Sequence, residues 1–478
     1  MPAYVSHPLS ARALYVTRTS QAPFSRDVTA FQRRPTRASL NVRAEKDSNG
    51  PRVAIAGISG AVGQEFLRVS KISRPAFLIL DPYCLFGLNA WTLPPMQVLT
   101  ERNFPYSDVK MLASSRFASL FPVFVSCFFW QRPFPSEQNV HHHARSAGKE
   151  VVFDGESYVI EELTEHSFDG VDIALFSAGG SISKKFGPIA ASKGCFVVDN
   201  SSAFRMTDGI PLVIPEVNPE AMAEYKLGKK NGGIIANPNC STIIALMAVT
   251  PIHRAVGVKR MIASTYQAAS GAGALAMAEL EQQTRDVLNG DPVTMNIFSW
   301  QYAFNLFSHN APMTGNGYNE EEMKMVNETM KIWDTKDVSI AATCIRVPVM
   351  RAHAESINLT LCSELDEQDA REILRKAAGL KIIDDRANNR FPTPLQASDE
   401  DDVFVGRIRQ DISQPGKSGL ELFVCGDQIK KGAALNAVQI AELLLWGVAR
   451  TGRNADIWST VIWLFPLMIL NLTWAILK

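Results

Sequence analysis

The start of the chain's body constrains its architecture more than any other stretch. Residues 52–56 (RVAIA) form a short apolar, β-branched run, followed at once by Gly57-Ile-Ser-Gly60-Ala-Val-Gly63 and then by helix-prone residues 64–69. A buried strand, a glycine turn and a helix in that order open a nucleotide-binding βαβ unit. Glycines let the backbone approach a pyrophosphate, and the helix N-terminus turns unpaired N–H groups and the positive dipole end toward it. The spacing is G-x-x-G-x-x-G rather than G-x-G-x-x-G, so the flanking strand and helix carry the reading against a plain tight turn. Residues 171–177 (VDIALFS) and 195–199 (CFVVD) read as two more buried strands ending in small polar residues. That pattern places loops at the carboxyl edge of a parallel sheet, where doubly wound folds bind ligands.

A second landmark is Asn237-Pro-Asn-Cys-Ser-Thr242, just ahead of a helix-patterned run at residues 243–254. Cys240 at a helix N-terminus faces unpaired N–H groups and the positive end of the macrodipole, which favour thiolate, the nucleophilic form. The competing reading is a buried, inert cysteine. Beyond it, strand-like residues 259–265, 340–349 and 356–364 and a helical pattern at 366–378 predict a second domain. A last helix is expected at 431–445, returning to the first domain.

With 478 residues the chain has room for two or three domains. Its 48 basic and 48 acidic side chains balance, which excludes a general nucleic-acid binder. The seven cysteines are scattered, odd in number and form no C-x-x-C pair, which excludes a disulfide framework and a zinc ribbon. His141-His142-His143 has no further ligand at metal-site spacing, so no metal is expected. The ends differ from the middle. Residues 1–43 are rich in Arg, Ser and Thr with Asp27 as the only acid, the composition of a plastid transit peptide, expected to span 1–45. A disordered tail is the alternative. Residues 457–477 carry no charge and are long enough to span a bilayer.

The segments RVAIAGISGAVGQEFLRV, VDIALFSAGGS, VVDNSSAFRM, PLVIPEVNPE, IIANPNCST, STYQAASGAG, CIRVPVMRAHAESI and GAALNAVQIAE, in this order, closely resemble the aspartate-semialdehyde dehydrogenase family. Acetylglutamyl-phosphate reductases and glyceraldehyde-phosphate dehydrogenases share the logic, but their cysteine segments read differently. The resemblance implies an α/β chain: a Rossmann-like doubly wound NADP-binding domain at 51–239 and an α+β catalytic and dimerisation domain at 240–425. A C-terminal helix at 426–447 returns to the NADP domain. It implies NADPH-dependent reductive dephosphorylation of L-aspartyl 4-phosphate to L-aspartate 4-semialdehyde, in the pathway to lysine, threonine, methionine and isoleucine. Partners implied are that substrate pair, phosphate and a second copy of the chain, as a homodimer or dimer of dimers.

Residue by residue, the resemblance implies Cys240 as the nucleophile, His353 as acid/base and Gln267 as the group orienting substrate. Arg346 would grip the α-carboxylate, its planar fork suiting bidentate pairing. Glu321 would take the amino group, and Lys324 and Arg205 the phosphate, with Asn239 donating to phosphate or oxyanion. Arg346 and His353 lie seven apart, on opposite faces of an unbroken strand, so a bend or bulge near Pro348 is needed. For the cofactor, Ser59, Gly60, Ala61, Val62 and Gly63 would hold the pyrophosphate, with Ser177 and Gly179 also in contact. Ser114, Ser115 and Arg116 would meet the ribose; an arginine with hydroxyls, where NAD binders carry an acid, suits a 2′-phosphate. Ser270, Gly271 and Asn436 match contacts on the nicotinamide side.

Two segments depart from the family. Members run from LRV into LTERNFP and read ASSRSAGK without a break; here residues about 69–97 and 117–145 intervene, rich in bulky apolar residues and prolines. Val69-Ser-Lys can be encoded by a splice-donor consensus and Met96-Gln97 can end in an acceptor, so both inserts fit introns translated in frame. The apolar tail at 448–478 fits the same reading, and a membrane anchor is not expected from it. Genuine elaborations are the alternative. Both junctions touch the cofactor domain, which predicts poorer NADPH binding or folding; a catalytically impaired isoform and a related acyl-phosphate reductase are the competing functions.

Overall fold

The structure is a computed structural model and describes residues 52–57, 62, 65, 78–79, 109–113, 148–153, 156–227 and 232–446. The expected leader, the tail and the second insert lie outside the described residues, as does the first insert apart from two residues.

The first sheet runs in the order β4-β5-β3-β1-β6-β7-β8, with the short β2 beside β3. These strands are β1 (Val53–Ala56), β2 (Leu78–Ile79), β3 (Val109–Ala113), β4 (Glu150–Phe153), β5 (Glu156–Glu162), β6 (Ile173–Phe176), β7 (Phe196–Asp199) and β8 (Gly233–Ala236). All pairings are parallel except the β4–β5 hairpin. Strand β1 has β3 on one side and β6 on the other, so the winding reverses there and opens a crevice at the carboxyl ends. Every residue of β6 and β7 is buried, which explains their unbroken apolar runs: both faces are covered. Helix α1 (Gly180–Ser192) packs Phe186 and Ala190 on Ala174, Phe176 and Val197. On the opposite face the C-terminal helix, residues 435–446, sets Val438, Ala441 and Leu444 against Ile173, Leu175 and Val198. The sequence singled out neither β4–β5 nor β2, whose Leu78 and Ile79 fall within the first insert beside Lys110 and Met111.

The second sheet is mixed, in the order β10-β11-β9-β12-β15-β14-β13. It comprises β9 (Val258–Gln267), β10 (Phe307–Ser308), β11 (Ser339–Arg346), β12 (His353–Leu361), β13 (Leu380–Ile382), β14 (Val403–Gln410) and β15 (Gly419–Gly426). Across its inner face lies α2 (Cys240–Val256), with Ser241 through Thr250 all buried. A helix apolar on every side belongs in a core. Ile243, Leu246, Val249 and Ile252 meet Met261, Ala263, Ile357, Leu359, Leu422 and Val424 of the sheet. Two further helices flank α2: α4 (Glu320–Ile332) and α5 (Glu367–Lys376). Helix α3 (Ala274–Asn289) packs with Phe298 and Tyr302 in a separate cluster.

Boundaries differ from the periodicity in instructive ways. The strand expected at 340–349 stops at Arg346, and the one expected at 356–364 begins earlier, at His353. Helix α2 starts at the cysteine itself because Asn239 caps it, accepting from the N–H groups of Ser241 and Thr242 at 3.0 and 3.3 Å. The last helix opens with a wider π-helical segment, Lys430–Ala434, before α6 (Leu435–Trp446).

Candidate active site

Three strand ends make the floor of the site. Strand β11 lies parallel to β9 with Arg346 opposite Gln267, and β12 is antiparallel on the other side of β9 with Ala354 opposite Tyr266. Gln267, Arg346 and His353 therefore sit in one layer. Between Arg346 and His353 the chain crosses over the end of β9. Val347 N–H donates to the Gln267 carbonyl at 3.1 Å, and Ala269 and Ser270 donate to the carbonyls of Val349 and Met350 at 2.8 and 3.1 Å. The expected bend is thus a full break between two strands. It resolves the conflict of faces that a continuous strand would have imposed.

The walls come from helix ends. Cys240, the first residue of α2, stands half-buried over this layer. Gly432 of the π-helical segment approaches so closely that an added Cβ would lie 2.9 Å from the Cys240 Cβ. Gln267 Nε2 donates to Ser241 Oγ at 2.7 Å and to Glu321 Oε1 at 3.3 Å. Glu321 and Lys324 share one face of α4, paired at 3.1 Å. Asn239 is committed twice: its side chain caps α2 and its Nδ2 donates to Glu321 Oε1 at 2.8 Å. Glu328, which the sequence reading missed, anchors this corner. It accepts from the Asn239 N–H at 2.6 Å and pairs with Arg205 at 3.0 Å. Arg205 also donates to the carbonyls of Asn237 and Asn200, at 2.8 and 2.7 Å.

One cavity of about 430 Å³ is lined by Cys240, Gln267, Arg346, His353, Glu321, Lys324, Arg205 and Asn239, and also by Val62, Ser177, Gly179, Ser270 and Gly271. It thus joins the inner layer of the second sheet to the carboxyl edge of the first. Gly271 is required by contact: a Cβ there would lie 3.0–3.2 Å from the His353 ring and Arg346 Nη1. Ser59, Gly60, Ala61, Gly63, Ser114, Ser115 and Arg116 lie outside the described residues. Asn436 does not line the cavity. It is fully buried behind the wall, its Nδ2 donating to Val213 O and Asn237 Oδ1 and its Oδ1 accepting from Lys431. The residues facing the cavity from that side are Gln428, Ile429, Gly432 and Ala433.

The sequence reading also missed His309, Gln428 and residues 200–202, which line the same cavity. The run Asn200-Ser-Ser202 at the carboxyl end of β7 was a usable signal. His309 and Gln428 had none, because neighbours distant in sequence place them.

Electrostatics reverse one expectation. Burial and then the Glu321 carboxylate push the Cys240 thiol up to about 12, against the opposing pull of Arg205, Arg346 and the Ser241 N–H. The helix terminus alone does not yield a thiolate here. Burial raises Glu321 too, but Lys324, His309 and the Asn239 hydrogen bond outweigh it and hold the carboxyl down at about 2. Burial, with Arg346 adding to it, lowers His353 to about 3. The Ala268 N–H faces His353 Nδ1 at 3.0 Å, so the neutral ring carries its hydrogen on Nε2, which has no partner among the described residues. His309 is likewise depressed, to about 4, by burial and Arg346. One layer beneath lies Glu355, fully buried, its carboxyl raised by burial and without a hydrogen-bond partner among the described residues.

Among the described residues no cluster of three or more His, Cys, Asp or Glu could hold a metal ion. No helix among them is long and apolar enough to cross a membrane. His141 to His143 lie outside the described residues.

Comparisons with known proteins agree with this geometry. Residues 131–225 match the family model "Semialdehyde dehydrogenase, NAD binding domain", and residues 249–431 match "Semialdehyde dehydrogenase, dimerisation domain". An aspartate-semialdehyde dehydrogenase from Synechocystis is 44% identical over 394 residues, covering 82% of this chain and 97% of the relative. One from Aquifex aeolicus is 42% identical over 399 residues, covering 83% and 98%. Among solved structures, aspartate semialdehyde dehydrogenase II from Vibrio cholerae, complexed with ASA, aligns with a TM-score of 0.67 and 39% identity. That alignment covers 83% of this chain and 98% of its own.

Proposed function

Since this chain belongs to the aspartate-semialdehyde dehydrogenase family, we propose that it reduces L-aspartyl 4-phosphate to L-aspartate 4-semialdehyde with NADPH, releasing phosphate. The observation that carries this reading is the single cavity in which Cys240, Gln267, Arg346, His353, Glu321 and Lys324 face Ser177 and Gly179 of the parallel sheet.

The chemistry follows from the groups present. The nearly buried Arg346 offers a planar fork to the α-carboxylate, and the ionised Glu321 offers its charge to the ammonium. Pairing Glu321 with an ammonium offsets the charge that, after burial, disfavours the Cys240 thiolate. Lys324 and Arg205 face the phosphate. Cys240 Sγ then attacks the acyl carbon and the carbon–oxygen bond to phosphate breaks; the thiol proton leaves with the phosphate, and a thioester remains on the cysteine. His353 Nε2–H is a neutral donor suited to the developing oxyanion, as is the N-terminus of α2. That geometry supports the acid half of the role implied for His353.

Ser177 and Gly179 fit a dinucleotide: Gly179 has φ +85° with open space where a Cβ would stand, so backbone approach is unobstructed. Residues 59–63 and 114–116 would hold the pyrophosphate and the 2′-phosphate. Bound NADPH supplies the hydride that reduces the thioester.

A homodimer, or a dimer of dimers, is proposed through the second domain. The exposed Trp300, Phe304 and Leu306, each over 60% exposed, support it, as does the half-exposed outer sheet face at Ile262 and Tyr266. Plastid targeting and a place in aspartate-derived amino-acid synthesis rest on the leader's composition and on the family. The deciding experiment is NADP-dependent, phosphate-stimulated oxidation of L-aspartate semialdehyde. It is expected in the native chain and absent in Cys240→Ala; activity surviving that substitution would overturn the reading.

A further inference from the structure

The turn that ends on His353 is clamped from outside the catalytic layer. Arg351 Nε donates to Asp427 Oδ2 at 2.6 Å, in the turn after β15, and Arg351 Nη2 lies 3.2 Å from Glu65 Oε1, an ion pair without hydrogen-bond alignment. Glu65 lies two residues past the glycine turn, on helical backbone, and belongs to the first domain. The contact is sheltered: the side chains of Arg351, Glu65 and Asp427 are 19%, 5% and 0% exposed. Asp399, half-exposed, adds a looser contact at 3.6 Å.

Between Arg351 and His353 stands Ala352, fully buried and held at φ +70°, a left-handed conformation that a Cβ disfavours. Its N–H is held by Gln428 Oε1 at 2.9 Å, and Gln428 Nε2 in turn donates to Ser270 Oγ on the cavity wall. A strained residue persists only where its surroundings over-determine it. Here the surroundings are Arg351 on one side and Gln428 on the other.

We infer that Arg351 is a positioning residue that joins the helix after the glycine turn to the turn presenting His353. Its Nε hydrogen bond to Asp427 and its ion pair with Glu65 make the dinucleotide-binding domain one of the supports of the histidine. Occupancy of the glycine turn and alignment of His353 are therefore coupled, and by linkage the coupling runs both ways. This inference rests on the proposed reading of the glycine turn as the NADPH site and of His353 as a group acting on the substrate. A stabilising ion pair with no further role is the competing account.

The test uses the full chain with three variants: Glu65→Gln, Arg351→Lys and Ala352→Gly. Each is measured for NADPH affinity by fluorescence titration, for kcat and both KM values, and for melting temperature. Glu65→Gln keeps shape and loses charge; it is expected to weaken NADPH binding and lower kcat, each by about tenfold, the scale of coupling between sites. Its KM for the semialdehyde should change less than about twofold, because Arg346 and Glu321 are untouched. Arg351→Lys keeps charge but loses the fork, and should give the same pattern. Ala352→Gly relieves the strain and leaves the clamp, so kcat falls while NADPH affinity holds. NADPH affinity and kcat at native values in Glu65→Gln and Arg351→Lys would overturn the inference, as would a drop in melting temperature alone. If the native chain oxidises no semialdehyde, the proposed function fails, yet the NADPH titrations still decide on Arg351: equal affinities across native chain, Glu65→Gln and Arg351→Lys refute it.

Discussion

The two sides of the cavity are built on different principles. The proposed substrate side consists of side chains: Gln267, Arg346 and His353 at strand ends, Cys240 and Glu321 at helix starts, nearly all cross-bonded between elements. The described part of the proposed cofactor side consists of backbone and space: Ser177 after β6, and Gly179 with nothing within 4 Å of where a Cβ would stand. A side-chain surface fails when a functional group is altered. A backbone surface fails when the chain path is altered. The same kind of substitution should therefore have different consequences on the two sides.

After the loss of activity expected of Cys240→Ala, the largest effect is expected for Arg346→Lys. Arg346 Nη1 also donates to the Ala268 carbonyl at 3.2 Å and Nε to Asn310 Oδ1 at 3.2 Å, a fixed fork that an ammonium cannot reproduce. kcat/KM for the semialdehyde should fall about a hundredfold, close to 2.7 kcal/mol of transition-state stabilisation, with NADPH affinity unchanged. A loss under about threefold would remove Arg346 from the substrate side.

A paired glycine experiment comes next. Gly271→Ala places a methyl 3.0 Å from His353 Cε1 and 3.2 Å from Arg346 Nη1, so both must shift. It should lower kcat about tenfold, since misplacing a catalytic group by a fraction of an ångström is costly. Gly179→Ala meets no neighbour but strains a residue at φ +85°. It should cost about 1–2 kcal/mol of stability and raise the KM for NADPH, with little change in the KM for semialdehyde. If both variants gave the same kinetic pattern, the distinction between the two sides would collapse.

Deleting residues 69–97 and 117–145 tests the cofactor side from the sequence. NADPH affinity is expected to strengthen while the rate of Cys240 alkylation stays constant; unchanged affinity in titration would dismiss the inserts as an obstacle.

The smallest effect concerns Glu355, buried beneath the catalytic layer. Its carboxyl is raised in the folded state, so its contribution is fully present below the unfolded value, near pH 4.3, and is lost as pH rises through the folded value. Glu355→Gln removes that dependence. Melting curves should show the variant gaining on the native chain as pH rises from about 5 upward; parallel curves would contradict a protonated Glu355.

Much of the framework was legible beforehand. Short apolar runs marked β1, β6 and β7 because a two-sided parallel sheet leaves no polar alternation. The edge hairpin β4–β5 was not legible, since Glu150, Ser157 and Glu161 interrupt its apolar pattern. Of the site, Asn-Cys before an apolar helix was visible because capping is a local device. The burial of Asn436 was not legible for the opposite reason: its partners Asn237 and Val213 are distant in sequence.

Local chemistry by itself determined the strand–glycine–helix opening, the capped helix starting at Cys240 and the pairing of Glu321 with Lys324, because each arises between near neighbours in the chain. Tertiary structure decided the ionisation of the nucleophile. A helix start favours thiolate, but burial first, and after it the Glu321 carboxylate of another helix, push the thiol up, and together they prevail. The break between β11 and β12 likewise emerged only once β9 lay between them, supplying the backbone partners that turn the chain and bring Arg346 and His353 to one side.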